Sequence, residues 1–312
     1  VSQDIKNYEI ILIENNSKDN SLDVCKNLVA RNSNIKLYTQ TNGGAGGARN
    51  TGLLNARGKY ILYLDSDDFY EPGVLKEEDF QEFEGYDMIL FGHNNIDVYD
   101  DHFLSYRKIH YPSFQPVSTT RYHTKDHKSL DMISDSAFSM CNKICKRQFL
   151  IDNNLLFPNE VRYEDYYVVL KLVTKDFDFL PINLPLFNYR VNRATSQSNN
   201  GIKMFEIFYI LDRFKIYLKE EEIYEDFAKA LCVQEFEQVF YRLHKLPLPE
   251  AYQWIRFMNQ KYQSMEEELP TERQCGMRKI NRIKNHHPFY VVMFHVIPKR
   301  IEIAFKSLFA DS

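Results

Sequence analysis

The sequence has no apolar run approaching the roughly 20 residues that a membrane-spanning helix requires, and no signal-peptide pattern opens it. Cysteine is sparse and odd in number. Cys25, Cys141, Cys145, Cys232 and Cys275 are scattered and lack the spacing of a metal site. That argues against a disulfide framework and fits a reducing, cytoplasmic setting. Charge of one sign is also missing: the net charge is −4, with 26% charged residues, so there is no global pull toward nucleic acid, which is not an expected partner. There is no internal repeat and no low-complexity tract. At 312 residues and 44% hydrophobic content, the chain can bury a sizeable core in one large domain or two smaller ones.

The most informative stretch present is Gly58-Lys59-Tyr60-Ile61-Leu62-Tyr63-Leu64-Asp65-Ser66-Asp67-Asp68. Its apolar segment, 60–64, reads as a buried strand. The strand ends in three carboxylates, which are costly to cluster unless something positive sits among them. A hard divalent cation, Mg²⁺ or Mn²⁺, held by oxygen ligands together with a substrate's phosphates, answers that cost. The plainer alternative is a solvated acidic loop capping the helix that follows Pro72.

Around this stretch the pattern alternates. Strands are expected at 9–13, 35–38, 60–64 and 88–91, and helices at 21–30, 48–56 and 74–83. In the first helix Val24, Cys25 and Leu28 share a face. Short strands alternating with helices predict an α/β fold with a mostly parallel sheet and helices on both faces, where ligands bind at the carboxyl ends of strands. The region 93–118 reads as irregular strands and loops, and a helix is expected near 125–134. Glu164 and Asp165 open a helix striped with Val168, Val169, Leu172 and Val173, and 186–191 reads as a strand. Beyond Gly201 the character turns to long amphipathic helices. The expected division is 1–200 for the α/β domain and 201–312 for an α-helical C-terminal region.

A second motif precedes the acidic one: Gly43-Gly44-Ala45-Gly46-Gly47-Ala48-Arg49-Asn50-Thr51-Gly52. Glycines let backbone approach a ligand closely, and a helix N-terminus favours anions. The motif lacks the Gly-Lys-Ser/Thr of a P-loop, and Arg49 stands where a dinucleotide fingerprint would place its third glycine. Arg49 is then placed to meet a phosphate or a base. The alternative is a flexible loop that only caps a helix.

Three segments in order, 9–21 with Asn15-Asn16-Ser17, 42–52 with Gly-Ala-Arg-Asn-Thr-Gly, and 64–68 with Asp-Ser-Asp-Asp, resemble the family 2 glycosyltransferases of GT-A fold. The resemblance covers about 9–193. Cys141-Asn142-Lys143-Ile144-Cys145-Lys146 resembles the family's Trp-Asn-Lys-Leu-Tyr-Lys segment. Arg162-Tyr163-Glu164-Asp165 resembles its Glu-Asp motif, and Asn188-Tyr189-Arg190 with Ser196 its Tyr-Arg…Ser segment.

The resemblance implies roles residue by residue. Asp67 is the main metal-binding carboxylate, and Asp65 contacts the metal or the donor ribose. Glu14, Asn15, Asn16, Gly46, Arg49 and Ser66 contact the donor nucleotide, Asp165 is the general base, and Glu164, Asn142, Lys143 and Arg190 face the acceptor. Many members carry Asp where Asn15 stands, to accept the uracil N3–H. The Asn15 side-chain oxygen can accept the same bond, with Glu14 beside it. The implied activity is metal-dependent, inverting transfer from a nucleotide-diphosphate sugar, a UDP-sugar by the family's habit. The acceptor is a hydroxyl of a glycan or a lipid-linked acceptor in surface polysaccharide synthesis. The family's opening strand-turn-helix segment has no counterpart here, so a preceding piece is expected.

Two other readings stand beside this one. A nucleotidyltransferase shares the sheet and the metal carboxylates, although the Gly-Ala-Arg-Asn-Thr-Gly motif argues against it. A non-catalytic homologue that binds glycan or a partner protein would fit Asn15 and the missing first strand, but not intact Asp65, Asp67 and Asp165. For Glu164 and Asp165 helix capping is the plainer role, since acids are favoured in a first turn. Finally, 273–306 is basic around the apolar segment 288–297. That suits peripheral contact with the inner face of a membrane, or a helical hairpin with a solvated basic face. His286 and His287 read as surface histidines.

Overall fold

The computed structural model describes residues 3–41, 43–99, 102–109, 122–123, 139–159, 161–191, 206–228, 231 and 247–263. The expected helix near 125–134, Ser196 and the basic segment 273–306 lie outside the described residues. The chain divides into two compact units, Val1–Asn199 and Asn200–Ser312.

The first unit begins with a parallel β–α–β crossover. Strands β1 (Ile10–Glu14) and β2 (Ile35–Thr39) pair from Ile10 opposite Ile35 to Glu14 opposite Thr39, joined by helix α1 (Ser21–Arg31). The expected apolar face of α1 is not buried. Val24 and Leu28 remain 49% and 41% exposed, because a sheet of two strands offers the helix little surface to cover. Glu9 Oε1 accepts from the Arg57 and Gly58 N–H groups, which ties the start of this sheet to the chain entering the next one.

Helix α2 spans Gly44–Asn55, four residues earlier than the helical pattern from Ala48 suggested. Glycine is a poor helix former, but these glycines are required by packing. A Cβ on Gly46 would meet the Pro158 carbonyl oxygen at 2.3 Å, and one on Gly47 would meet Asn159 Oδ1 at 3.3 Å.

The larger sheet follows: β3 (Tyr60–Leu62), β4 (Phe69–Tyr70), β5 (Met88–Tyr99), β6 (His102–Ile109), β7 (Tyr122–His123), β8 (Lys143–Lys146) and β9 (Asp178–Val191). Its path is β3-β8-β5-β9-β4, with β6 on β5 and β7 on β9. The sheet is mixed rather than mostly parallel. β5 and β9 run parallel, but β8 enters antiparallel between β3 and β5, and β4 lies antiparallel on β9. The segment 93–118, read as irregular, supplies the outer half of β5 and the hairpin strand β6. The expected helix 74–83 shrinks to α3 (Asp79–Glu82) and a 3₁₀ turn, Phe83–Gly85.

Helix α4 (Arg147–Asp152) leaves β8, and α5 (Glu164–Leu172) buries Tyr166 to Leu172. Between the sheet and these helices lies one apolar core that includes Leu53, Met88, Ile89, Leu90, Phe91, Leu150, Val168 and Phe179.

In the second unit, helix α6 (Glu206–Glu220) buries Ile207, Phe208, Ile210, Leu211, Phe214, Tyr217 and Leu218, the spacing of one helical face. Helix α7 (Leu248–Gln263) carries Trp254, whose ring centroid lies 4.7 Å from that of Phe208. Among the described residues no helix is long and apolar enough to cross a membrane.

Candidate active site

Past the end of β3, the Asp68 N–H donates to the Asp65 carbonyl at 3.1 Å, folding Asp65-Ser66-Asp67-Asp68 into a tight turn. Strand β4 then pairs Phe69 with Asn188, which fixes the turn against β9. The turn gathers Asp65, Asp67 and Asp68, with one carboxylate oxygen from each within 4.8 Å of the others. Ser66 is exposed beside them.

The sequence motif pointed to Asp65 and Asp67 as metal ligands; Asp68 is the addition. It is buried, its Oδ1 accepts from the Arg190 N–H at 2.9 Å, and its Oδ2 has no hydrogen-bond partner. Burial, opposed by the Arg190 N–H and reinforced by the Asp67 and Asp65 charges, pushes its pKa up to about 7. An orphaned buried carboxylate oxygen in an all-oxygen cluster fits a hard divalent cation. The Arg190 guanidinium lies over the Phe69 ring, 5.5 Å from its centroid.

Arg49, on α2, joins this cluster to the Glu-Asp motif. Its Nη2 lies 2.6 Å from Asp65 Oδ1. Its Nη1 lies 2.5 Å from Glu164 Oε1 and 3.1 Å from Asp165 Oδ1. The sequence reading had Arg49 facing a phosphate or base; in the structure it is engaged by three carboxylates. Its side chain is 10% exposed and stacks over the Phe157 ring. Burial opposes the guanidinium charge, but Asp165, Asp65 and Glu164 outweigh it and raise its pKa.

Gly46 also changes meaning. The close backbone approach that its missing side chain permits is to Pro158. Asn50 completes this seam: its Nδ2 donates to the Phe157 carbonyl at 2.8 Å and its Oδ1 accepts from the Phe157 N–H at 2.9 Å. The glycine motif thus clamps the segment that leads into α5.

Tyr163, which precedes α5, has φ of +61°, a left-handed conformation uncommon for a side-chain-bearing residue. From it Glu164 and Asp165 enter the first turn. Asp165 does not cap its own helix. Its Oδ2 accepts from the Met140 N–H at 3.2 Å and from Ser139 Oγ at 3.3 Å. Its Oδ1 keeps only the ion-pair contact with Arg49, without an aligned hydrogen bond. Burial pushes the Asp165 pKa up to about 6. The Arg49 charge opposes this, Glu164 and Asp65 add to it, and the Met140 N–H opposes it. Ser139 and Met140 were invisible to motif reading because one acts through its backbone and the other through a common hydroxyl.

Asn142 and Lys143, expected to face an acceptor, are 1% and 0% exposed. Asn142 Nδ2 donates to the Phe91 carbonyl, and Lys143 Nζ donates to the Ser139 carbonyl at 2.6 Å. Both are interior groups, because β8 is a central strand of the sheet.

At the end of β1, Glu14 is also buried. Its Oε1 accepts from the Ser17 N–H at 2.6 Å, a bond that lowers its pKa. The carboxylate folds into its own turn. Asn15 Oδ1 accepts from Gln40 Nε2 at 3.0 Å and its Nδ2 donates to the Gly44 carbonyl. Asn16 is exposed at φ +61°, with its Nδ2 donating to the Thr41 carbonyl.

Residues 1–151 match the family described as Glycosyl transferase family 2. The chain is 26% identical over 261 residues to the cholesterol galactosyltransferase of Borreliella burgdorferi, covering 77% of this chain and 67% of that protein. It is 29% identical over 224 residues to an uncharacterized glycosyltransferase of Haemophilus influenzae, covering 72% and 81%. Among solved structures, S. aureus TarS 1–349 superposes with a TM-score of 0.57 at 17% identity, covering 83% of this chain and 72% of that one. The fold is of GT-A type. The match over residues 1–151, together with relatives that are glycosyltransferases, supports an enzyme of the transferase class, of the family 2 glycosyltransferase type. These matches favour the glycosyltransferase reading over the nucleotidyltransferase one.

Proposed function

We propose that this transferase moves a sugar from a nucleotide-diphosphate donor, a UDP-sugar, to a hydroxyl of a glycan or lipid-linked acceptor, in one displacement that inverts the anomeric carbon. The observation that carries the reading is the Arg49 bridge, which sets a carboxylate with a raised pKa, Asp165, opposite the Asp65–Asp67–Asp68 cluster.

Asp65, Asp67 and Asp68 would hold a divalent cation, Mn²⁺ or Mg²⁺, which when bound offsets the charge gained by the leaving nucleoside diphosphate. Asp165 Oδ1 takes the proton from the acceptor hydroxyl as that oxygen bonds to the anomeric carbon. The bond from that carbon to the phosphate oxygen breaks, and its electron pair leaves with the nucleoside diphosphate. Arg49 keeps the base and the donor side at a fixed separation. Asn15, Asn16 and the turn after β1 lie at a strand's carboxyl end, the usual place for a nucleotide. There the Asn15 amide, already held by Gln40, offers its remaining lone pair to the base.

A lipid-linked acceptor, a place in surface polysaccharide synthesis and a peripheral position on the inner membrane face through 273–306 extend the same reading. The relative described as acting on cholesterol gives the lipid side some support. The two compact units are proposed to divide the work, with donor and base chemistry in 1–200 and the helical unit serving the acceptor or membrane side.

The test is nucleoside diphosphate release from a panel of UDP-, GDP- and dTDP-sugars, with Mn²⁺, with Mg²⁺ and with EDTA. Release from a UDP-sugar that EDTA abolishes supports the reading. Release that is indifferent to EDTA overturns the metal assignment, and silence across the panel overturns the donor assignment.

A further inference from the structure

We propose that Lys143 is a positioning residue for Asp165, acting through the 139–142 turn. The inference rests on the reading of Asp165 as the base. A chain of hydrogen bonds runs from the sheet to that carboxylate. The Phe91 N–H donates to the Asn142 carbonyl at 3.1 Å, and Asn142 Nδ2 donates back to the Phe91 carbonyl at 3.2 Å, which fastens Asn142 to β5. Lys143 Nζ donates to Asn142 Oδ1 at 2.8 Å and to the Ser139 carbonyl at 2.6 Å. The Lys143 N–H closes the turn onto the Met140 carbonyl at 3.2 Å. The Cys141 N–H donates to Ser139 Oγ at 3.1 Å, orienting the hydroxyl. From the same turn Ser139 Oγ and the Met140 N–H then grip Asp165 Oδ2.

An ammonium at 0% exposure is costly, and an apolar side chain of similar length would fill the same space without that cost. What the apolar side chain cannot do is hold the Ser139 carbonyl. With both donors fixed on Oδ2, the Asp165 carboxyl plane is fixed, and Oδ1, which keeps the Arg49 contact but no aligned hydrogen bond, is the oxygen assigned the acceptor's proton. Lys143 touches neither donor nor acceptor in this account. It decides where Oδ1 stands.

The experiment compares Lys143→Met, Ser139→Ala and Asp165→Asn, singly and in pairs, in the full chain, reading kcat and the donor KM with a UDP-sugar and acceptor. Misplacing a base by about 1 Å costs on the order of 100-fold, so Lys143→Met is expected to lower kcat by roughly 10- to 100-fold, with the donor KM within about twofold. Ser139→Ala removes one of two donors and is expected to lower kcat several-fold, again without moving KM. In the Asp165→Asn background neither change adds a further loss, because its target is already gone.

Additive losses in that background, or a rise in KM with kcat intact, overturn the proposal. If Lys143→Met does not fold, judged by its circular dichroism and melting curve, Ser139→Ala and its pair with Asp165→Asn decide the matter alone. Full turnover by Asp165→Asn overturns the base assignment, and this inference with it. An inactive Asp165→Asn beside an unaffected Lys143→Met overturns this inference only.

Discussion

Arg49 Nη2 lies 2.6 Å from Asp65 Oδ1, and the other end of the same guanidinium meets Glu164 and Asp165. One cation therefore stands between two groups of carboxylates that lie 16 and more than 100 residues from it in sequence. Asp65 is 42% exposed, so that contact is partly screened; the Glu164 and Asp165 contacts, at 14% and 16% exposure, are not. Removing one partner from a buried ion pair costs about 3 kcal/mol or more. Arg49→Ala is accordingly expected to lower stability by about that amount in urea unfolding, and to reduce kcat by orders of magnitude. A variant as stable as the parent would show that the bridge holds nothing together.

The acidity of Asp165 gives a pH prediction with a definite sign. Its folded pKa is raised from an ordinary 3.8 to about 6, with burial as the first cause. The folded state thus binds more protons than the unfolded state between these values, so this group's contribution to stability falls as pH rises from about 4 to above 6. Activity moves the other way, because a base works only when ionised. kcat/KM is expected to climb about tenfold per pH unit below 6 and to level off above it. A profile flat from pH 5 to 8 would contradict the assignment.

Asp68→Asn tests the orphaned oxygen. Asn keeps an Oδ1 to accept from the Arg190 N–H but replaces the buried carboxylate oxygen with an amide. Mn²⁺ is expected to raise the melting temperature of the parent protein, EDTA to reverse that rise, and Asp68→Asn to lose most of it. An equal rise in both proteins would place the cation elsewhere.

Gly46→Ala is expected to be more damaging than a single methyl suggests. The new Cβ would stand 2.3 Å from the Pro158 carbonyl oxygen, a backbone atom that cannot rotate away. Overpacking of this kind costs about 1–3 kcal/mol. It also pushes the segment that carries Glu164 and Asp165, so kcat should fall in the same variant. Thermal unfolding and turnover measured side by side check both.

Much of this was legible in the sequence, and the reasons are local. Asp65 and Asp67 stood out because carboxylates directly after a strand form a short, recognisable string, whereas Asp165 was singled out only by the resemblance of Arg162–Asp165 to a Glu-Asp motif, helix capping being the plainer local reading. Strands β1, β2 and β3 followed from apolar runs of ordinary length. What was not legible depends on distant partners. Glycines in 43–52 looked like a ligand cradle, but the atom facing Gly46 belongs to Pro158, which no local pattern reveals. Asn142 and Lys143 looked like polar contacts for a substrate, because nothing in Cys141–Lys146 announces an antiparallel strand in the middle of a sheet. Their neighbours Ser139 and Met140 matter through a hydroxyl and a backbone N–H, which sequence does not distinguish from any others.

The most direct test of the central claim is a comparison of the parent protein with Asp165→Asn, measuring nucleoside diphosphate release with Mn²⁺ and acceptor together with donor affinity by calorimetry. Asp165→Asn is expected to bind the UDP-sugar within a few-fold of the parent while turnover falls by about 100-fold or more. Undiminished turnover with the amide in place of the carboxylate would contradict that claim.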